Sequence, residues 1–529
     1  MGNNVRQGIE IPVAAEGFSA AQSYVEEALK LRFLSPEIAH ETMLVFEAVF
    51  NTVLEQGVDP GTTMSIVRDN RLGGISLKIG YAGKRFAPVE DDYLMSPELR
   101  ILEAYADRLT YRYHSGYNTI RISMKKSPRG YFLTCGVGIL LAVLAYMLLC
   151  LFVSPEDRTA LLSEYIFPVE QVFANAMLMV GAPVTLFSLL KNASNTFIVA
   201  EWESGARRLQ AKALITSAFA IALAIALSLL FVWMFPELYA YDVRHIGITD
   251  ESFASFIVSM VPASIVAPFE AVSPVPLMVV ALLVTYALCS TGEHFDFLKQ
   301  AIDACFELFS RMLSAVMAAL PVFCFLAILD ELIDGGFQQL AVVLTFVVFA
   351  LASTIILLAT YALRLRAQGI NVREFAKTLI PLLRENLAIG SVIDAVPFNI
   401  RYCVRNFGMD RDRLRDSLPV LAQINLDGNC FLITLIAMGY IYLTGTDVTW
   451  VNIAVIAMLV LVLSCGAPNQ PGSILLGALF VIMYLNSNEM LCVAFFLEVF
   501  LGSVQNIVNV ISSVVTVAEE EAAQTKAAA

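Results

Sequence analysis

The sequence predicts an all-α membrane domain, with eight transmembrane helices and two re-entrant helical hairpins, behind an N-terminal soluble α+β domain. Three observations carry that prediction. The 529 residues are 58% hydrophobic and 15% charged, against about 45–50% apolar and about 25% charged for an average soluble domain. The mean hydropathy is +0.70, and the apolar excess lies beyond residue 128. Two of the apolar stretches are interrupted by proline and glycine.

Residues 1–128 carry soluble patterning. Residues 21–33 and 38–56 mix apolar and charged positions at helical spacing. MSIVRDN and GGISLKIGY alternate as strands do. Residues 97–108 open with a proline and predict a helix. LTYRYHS and NTIRISMKK then form a hairpin around Gly116. A domain of this length buries its own core.

Residues 129–518 require lipid as solvent. A helical span takes roughly 20 apolar residues. Such runs fall at 131–153, 169–190, 211–235, 275–290, 306–329, 339–363, 417–443 and 485–517. Lys125, Lys126 and Arg129 before the first run place the N-terminus in the cytoplasm. The later basic clusters, Lys191 to Lys212, Arg364 to Arg384 and Arg401 to Arg415, share that side if two segments enter and leave without crossing. The protein is then multi-pass in the inner (plasma) membrane, with a cytoplasmic tail at 519–529. The opening MGNNVRQGIE predicts no cleavable signal peptide.

The first interrupted segment is 386–404, broken at Asp394 and Pro397; the second is 450–485, broken from Gly466 to Ser473. Unpaired backbone in hydrocarbon costs several kcal/mol per group, so such breaks survive inside protein or against a wet cavity. Paired Gly/Pro breaks point to a solute site; two merely kinked spanning helices are the alternative. Between them, Asn425, Asp427, Gly428 and Asn429 interrupt an apolar helix. An intramembrane carboxylate is a functional candidate, and Gly428 beside it permits local unwinding that frees carbonyl oxygens for a cation. A structural carboxylate bonded to a neighbouring helix is the other possibility. On the last span Glu498, Gly502, Gln505, Asn509 and Ser513 form one helical stripe. It faces either a cavity or a closely packed helix.

These motifs resemble the glutamate-transporter superfamily of dicarboxylate/amino acid:cation symporters over roughly residues 130–518. The family's Asn-Met-Asp-Gly is Asn425, Leu426, Asp427, Gly428, and its Met-Val-Asn-Val is Ile507, Val508, Asn509, Val510. Its second hairpin tip is matched by Ser464, Gly466, Ala467 and then Pro471, Gly472, Ser473, and the Leu-Pro that ends its first by Val396, Pro397. The resemblance implies a glutamate-transporter fold, a homotrimer and an elevator motion of a transport domain against a scaffold. It implies symport of a small organic solute, a dicarboxylate or amino acid, coupled to sodium or protons. It places the solute at Ser391, Asp394, Asn429, Pro471, Gly472, Ser473, Gly502, Gln505 and Asn509, and sodium at Asn425, Asp427, Asn509 and Ser513. The sequence departs from the family where an aspartate that binds a substrate amino group is Gly502, an arginine that pairs a carboxylate is Gln505, and a later aspartate is Ser513. Glutamine lacks arginine's charged fork. Asp394, at the first tip, is a charge that replaces a lost one or reads a cationic group.

Glu47 and Asn51 resemble the E-x-x-x-N box of histidine-kinase-like ATPases of the anti-sigma-factor kinase branch, where the glutamate is a base and the asparagine holds magnesium. Residues 79–88 and 99–122 resemble that branch's nucleotide loop and closing helix and hairpin. Tyr81 replaces the adenine-reading aspartate, and DDYLMSPE carries no glycine for a lid over ATP phosphates. The resemblance therefore implies a degenerate domain that regulates the membrane domain. A membrane solute sensor signalling through this domain is the alternative function. The net charge of -13 opposes a nucleic-acid partner. Nine cysteines without a CxxC pair indicate neither a metal site nor a disulfide frame. The four histidines lie outside the candidate site, which leaves no constellation for an enzyme.

Overall fold

The computed structural model describes residues 8–30, 36–55, 61–71, 74–83, 102, 108–114, 116–124, 128–202, 204–235, 258, 260–270, 274–290, 295–389, 391–393, 395–443, 449–466, 472–484 and 491–528. The chain divides into two compact units, Met1–Tyr131 and Phe132–Ala529.

The first unit is a five-stranded antiparallel sheet with helices on one face. Strands β1 (Ile9–Pro12), β2 (Thr63–Arg71), β3 (Gly74–Ala82), β4 (Leu109–His114) and β5 (Tyr117–Met124) lie in the order β1-β2-β3-β5-β4. Helices α1 (Ala15–Leu29) and α2 (Pro36–Glu55) cover it. Register follows side-chain alternation: Ile66 pairs Ile79, and Ile79 pairs Ile120. These face Phe46, Val49, Phe50 and Val53 of α2 in one core, because residues one turn apart share a helix face. The strands from 63 onward follow the expected hairpins, whereas β1 was not expected. The expected helix at 97–108 falls mostly outside the described residues; Leu102, which is described, is helical and buried.

The second unit is helical. Its elements are α3 (Pro128–Phe152), α4 (Pro155–Leu161) running through a π turn into α5 (Phe167–Trp202), α6 (Ser204–Met234), α7 (Ala267–Glu270), α8 (Pro274–Cys289), α9 (Phe295–Met317) and α10 (Leu320–Ala367). Then come α11 (Val372–Ile389), α12 (Val396–Phe407), α13 (Arg411–Ile424), α14 (Asp427–Leu443), α15 (Trp450–Gly466), α16 (Ser473–Tyr484) and α17 (Leu491–Ala528). Among the described residues six helices are long and apolar enough to cross a bilayer. A seventh arises if α9 and the start of α10, bent by 49° at their junction, form one broken span.

That junction breaks the apolar run expected at 306–329. Turn residues Ala318 and Ala319 interrupt it, and Pro321, which has no N–H to donate, starts the next helix. Helix α10 breaks again at Gly336, with φ 65°. The run at 275–290 forms an apolar helix at Pro276–Leu288, shorter than the roughly 20 residues of a full crossing.

The first interrupted segment folds back on itself. Asn386 of α11 and Asn399 of α12 exchange amide hydrogen bonds at 2.7 and 3.1 Å, and Tyr402 Oη donates to the Thr378 carbonyl at 2.8 Å. Two arms of one kinked rod would not meet this way. Helix α14 is buried on every side from Asp427 to Ile441 and touches α6, α15, α16 and α17. A helix apolar all round belongs in such a centre. Helix α17 runs on past Ala518, and Glu519 accepts from Arg364 Nε and Nη2, both at 2.8 Å, and lies 3.0 Å from Lys212 Nζ.

Candidate functional site

Two hydrogen-bonded groups and one capped turn meet around the start of α14. The first group surrounds the break between α13 and α14. Asn425 leaves helical geometry at φ -93°, ψ 68°, and α14 restarts at Asp427, whose charge suits a helix N-terminus. Gly428 is helical, so the break lies at Asn425 and Leu426, before Asp427, rather than at the glycine. Asp427 is fully buried. Its Oδ1 accepts from Ser217 Oγ at 2.9 Å, and its Oδ2 from Tyr361 Oη at 2.8 Å and Ser512 Oγ at 2.5 Å. Thr216 Oγ1 lies 3.0 Å from Asn425 Oδ1 and shares its hydrogen with its own helix's Ala213 carbonyl at 2.8 Å, and Asn425 Nδ2 donates to Ser512 Oγ at 3.0 Å and Thr516 Oγ1 at 3.5 Å.

This set gathers oxygens from α6, α10, α13–α14 and α17 around one formal negative charge. The hydrogen bonds to Asp427 come from hydroxyls and not from a cationic side chain. The cation at this end of α10, Arg364, is taken by Glu519. Hard oxygen donors with a single carboxylate suit a small monovalent cation. Among the described residues no cluster of three or more His, Cys, Asp or Glu side chains exists to hold a metal in another way.

The second group is built of neutral amides. Asn509 Oδ1 accepts from the Gly428 N–H at 2.8 Å, and its Nδ2 donates to Asn429 Oδ1 at 2.8 Å. Gln505 Nε2 donates to the same Asn429 oxygen and to Ser473 Oγ at 2.6 Å. Asn429 Nδ2 is buried and has no hydrogen-bond partner among the described residues. A buried amide donor left open costs about 1–3 kcal/mol.

The capped turn is the tip of the second interrupted segment. Gly472, at φ 98°, donates its N–H to Glu498 Oε1 at 2.8 Å, and Leu475 donates to Oε2 at 2.9 Å.

Of the residues singled out in the sequence, Asn425 and Asp427 come together in the oxygen set, and Asn429, Ser473, Gln505 and Asn509 in the amide group. Gly472 lies at the tip. Gly502 lies beneath Glu498. Ser391 is buried in the turn between α11 and α12. Ser513 donates to the carbonyl of Asn509 in its own helix at 2.9 Å; its neighbour Ser512 reaches Asp427. Asp394 and Pro471 lie outside the described residues. In the first unit Glu47 accepts from Gln22 Nε2 at 3.5 Å, with Asn51 half-buried one turn on, and Tyr81 is buried in the core.

Thr216, Ser217, Tyr361, Ser512 and Thr516 were not anticipated. Their one signal is the presence of hydroxyls in apolar helices, and such hydroxyls commonly bond their own backbone.

Comparison with known proteins bears on this site. The model of the sodium:dicarboxylate symporter family matches residues 131–518. The C4-dicarboxylate transport protein of Rhodopseudomonas palustris (strain BisB18) is 24% identical over 219 residues, 41% of this chain and 49% of that protein. The C4-dicarboxylate transport protein 1 of Pseudomonas aeruginosa (strain UCBPP-PA14) is 24% identical over 246 residues, 45% of this chain and 54% of that protein. The chain thus spans about half the length of the curated relatives it matches.

Proposed function

The chain belongs to the sodium:dicarboxylate symporter family, and on that premise we propose that it is a multi-pass membrane symporter that couples entry of a small organic solute to a cation. The oxygen set around Asp427 carries this reading. Burying a carboxylate among hydroxyls without a compensating charge is costly. Sodium bound there supplies the compensating charge, and Asn425, Asp427, Thr216 and Ser217 are the residues that would hold it. Ser512 and Tyr361 orient the Asp427 carboxylate. The residues are those an oxygen-seeking ion requires, and they bridge four helices, so cation binding and helix packing are linked.

The amide group is the seat of the solute. Asn429 Nδ2 offers an open donor and Ser473 Oγ lies 2.6 Å from Gln505. Neutral amides hydrogen-bond a carboxylate more weakly than an arginine fork does. A C4-dicarboxylate, named in the relatives, is the first solute to try, and a neutral or monocarboxylic one is the next. The same reading includes a homotrimer, an elevator motion, both termini in the cytoplasm and regulation by residues 1–128.

The test is uptake of labelled succinate by the purified full-length protein in liposomes. An inward sodium gradient is expected to drive accumulation above the level of a potassium control. Absence of flux for succinate, other small carboxylates and amino acids, under sodium and proton gradients alike, would overturn the reading in favour of a solute sensor.

A further inference from the structure

The amide group and the oxygen set leave one buried carboxylate of α17 without a task, Glu498. It is 4% exposed. Its two oxygens receive the N–H groups of Gly472 and Leu475 at 2.8 and 2.9 Å, with Ile474 as a further backbone donor. These are N–H groups at the start of α16, which have no partner inside their own helix. Ser473 lies between them in the chain, and its Oγ meets Gln505. The carboxylate therefore fixes the backbone on both sides of the serine that contacts the amide group.

Gly502 lies one turn further along α17. A Cβ there would stand 2.8 Å from Glu498 Oε1 and 3.3 Å from its carboxyl carbon. A side chain at 502 would make the Glu498 carboxylate shift from the place where it meets Gly472 and Leu475. The two positions are therefore one device: a long acidic side chain at 498 folded over a bare backbone at 502.

We infer that Glu498 is a positioning residue that latches the first turn of α16, Gly472 to Leu475, and so holds Ser473 against the amide group, and that Gly502 is the space this latch requires. The consequence for solute access rests on the transporter reading; the latch itself does not. Its strength comes from two backbone hydrogen bonds, one to each oxygen of the same carboxyl group.

The test is hydrogen–deuterium exchange of the full-length protein in lipid nanodiscs, read by mass spectrometry on peptides spanning 472–476. In Glu498→Ala and in Gly502→Ala, exchange at the tip is expected to rise at least about tenfold, with α14 unchanged. In the double variant, Gly502→Ala is expected to add less than about twofold, because the carboxylate it displaces is gone. A mere packing role for Gly502 would not produce that interaction. Wild-type protection in Glu498→Ala, or a Gly502→Ala effect undiminished in the Glu498→Ala background, would overturn the inference. Should Glu498→Ala not fold, Glu498→Gln loses one acceptor oxygen and is expected to raise tip exchange; wild-type protection there would overturn the inference equally. Exchange is read with no solute moving, so failure of the latch and failure of transport are separate results.

Discussion

Gly428 shows how closely the helices of the site approach. A Cβ there would lie 2.4 Å from the Gln505 carbonyl oxygen and 2.9 Å from Asn509 Oδ1. Gly428→Ala is expected to destabilise the protein by about 1–3 kcal/mol, the usual cost of overpacking, and to lengthen the Gly428 N–H bond to Asn509. A lower midpoint of thermal unfolding in detergent checks it; an unchanged midpoint would mean that α14 and α17 do not touch there. The sequence suggested a different task for this glycine, unwinding the helix beside Asp427. The unwinding occurs instead at Asn425 and Leu426, where the Asn425 side chain bonds α6 and α17. Asp427 itself was legible because a carboxylate in an apolar helix is rare. Its partners Ser217, Tyr361 and Ser512 were not, because hydroxyls such as those of Thr434 and Thr354 look the same in an apolar helix and bond their own helix carbonyls.

At the scale of elements, the α11–α12 hairpin is held in part by the Asn386–Asn399 pair, both buried. Asn386→Leu leaves the Asn399 amide without that partner, at a cost of about 1–3 kcal/mol. Leucine at both positions removes the stranded group and is expected to recover much of the loss. Denaturant unfolding of Asn386→Leu, Asn399→Leu and the double variant checks this; a double variant as damaged as the sum of the two singles would contradict the pairing. The fold-back was legible from Asp394, Pro397 and the flanking arginines. The bend between α9 and α10 was not, because Ala318 and Ala319 are ordinary helix formers and the signal rests on Pro321 alone. Strand β1 escaped because four residues are too few for alternation to stand out.

At the scale of the whole molecule, α14 draws α6, α15, α16 and α17 around one buried acid, and Glu519 ties the far end of α17 to Lys212 of α6 and Arg364 of α10. The helices that supply oxygens to Asp427 are thus joined a second time outside the oxygen set. On the proposed function, a cation bound between them would add to the stability of the assembled bundle, since a ligand that binds the folded state stabilises it by mass action. The direct measurement is thermal unfolding of the full-length protein in sodium chloride and in choline chloride at equal ionic strength. Wild type is expected to gain about 2.7 kcal/mol at a sodium concentration a hundredfold above its dissociation constant, seen as a midpoint higher by a few degrees. Ser513→Ala, whose hydroxyl bonds its own helix, is expected to keep that shift, and Asp427→Asn to lose it. A sodium shift undiminished in Asp427→Asn would contradict the account.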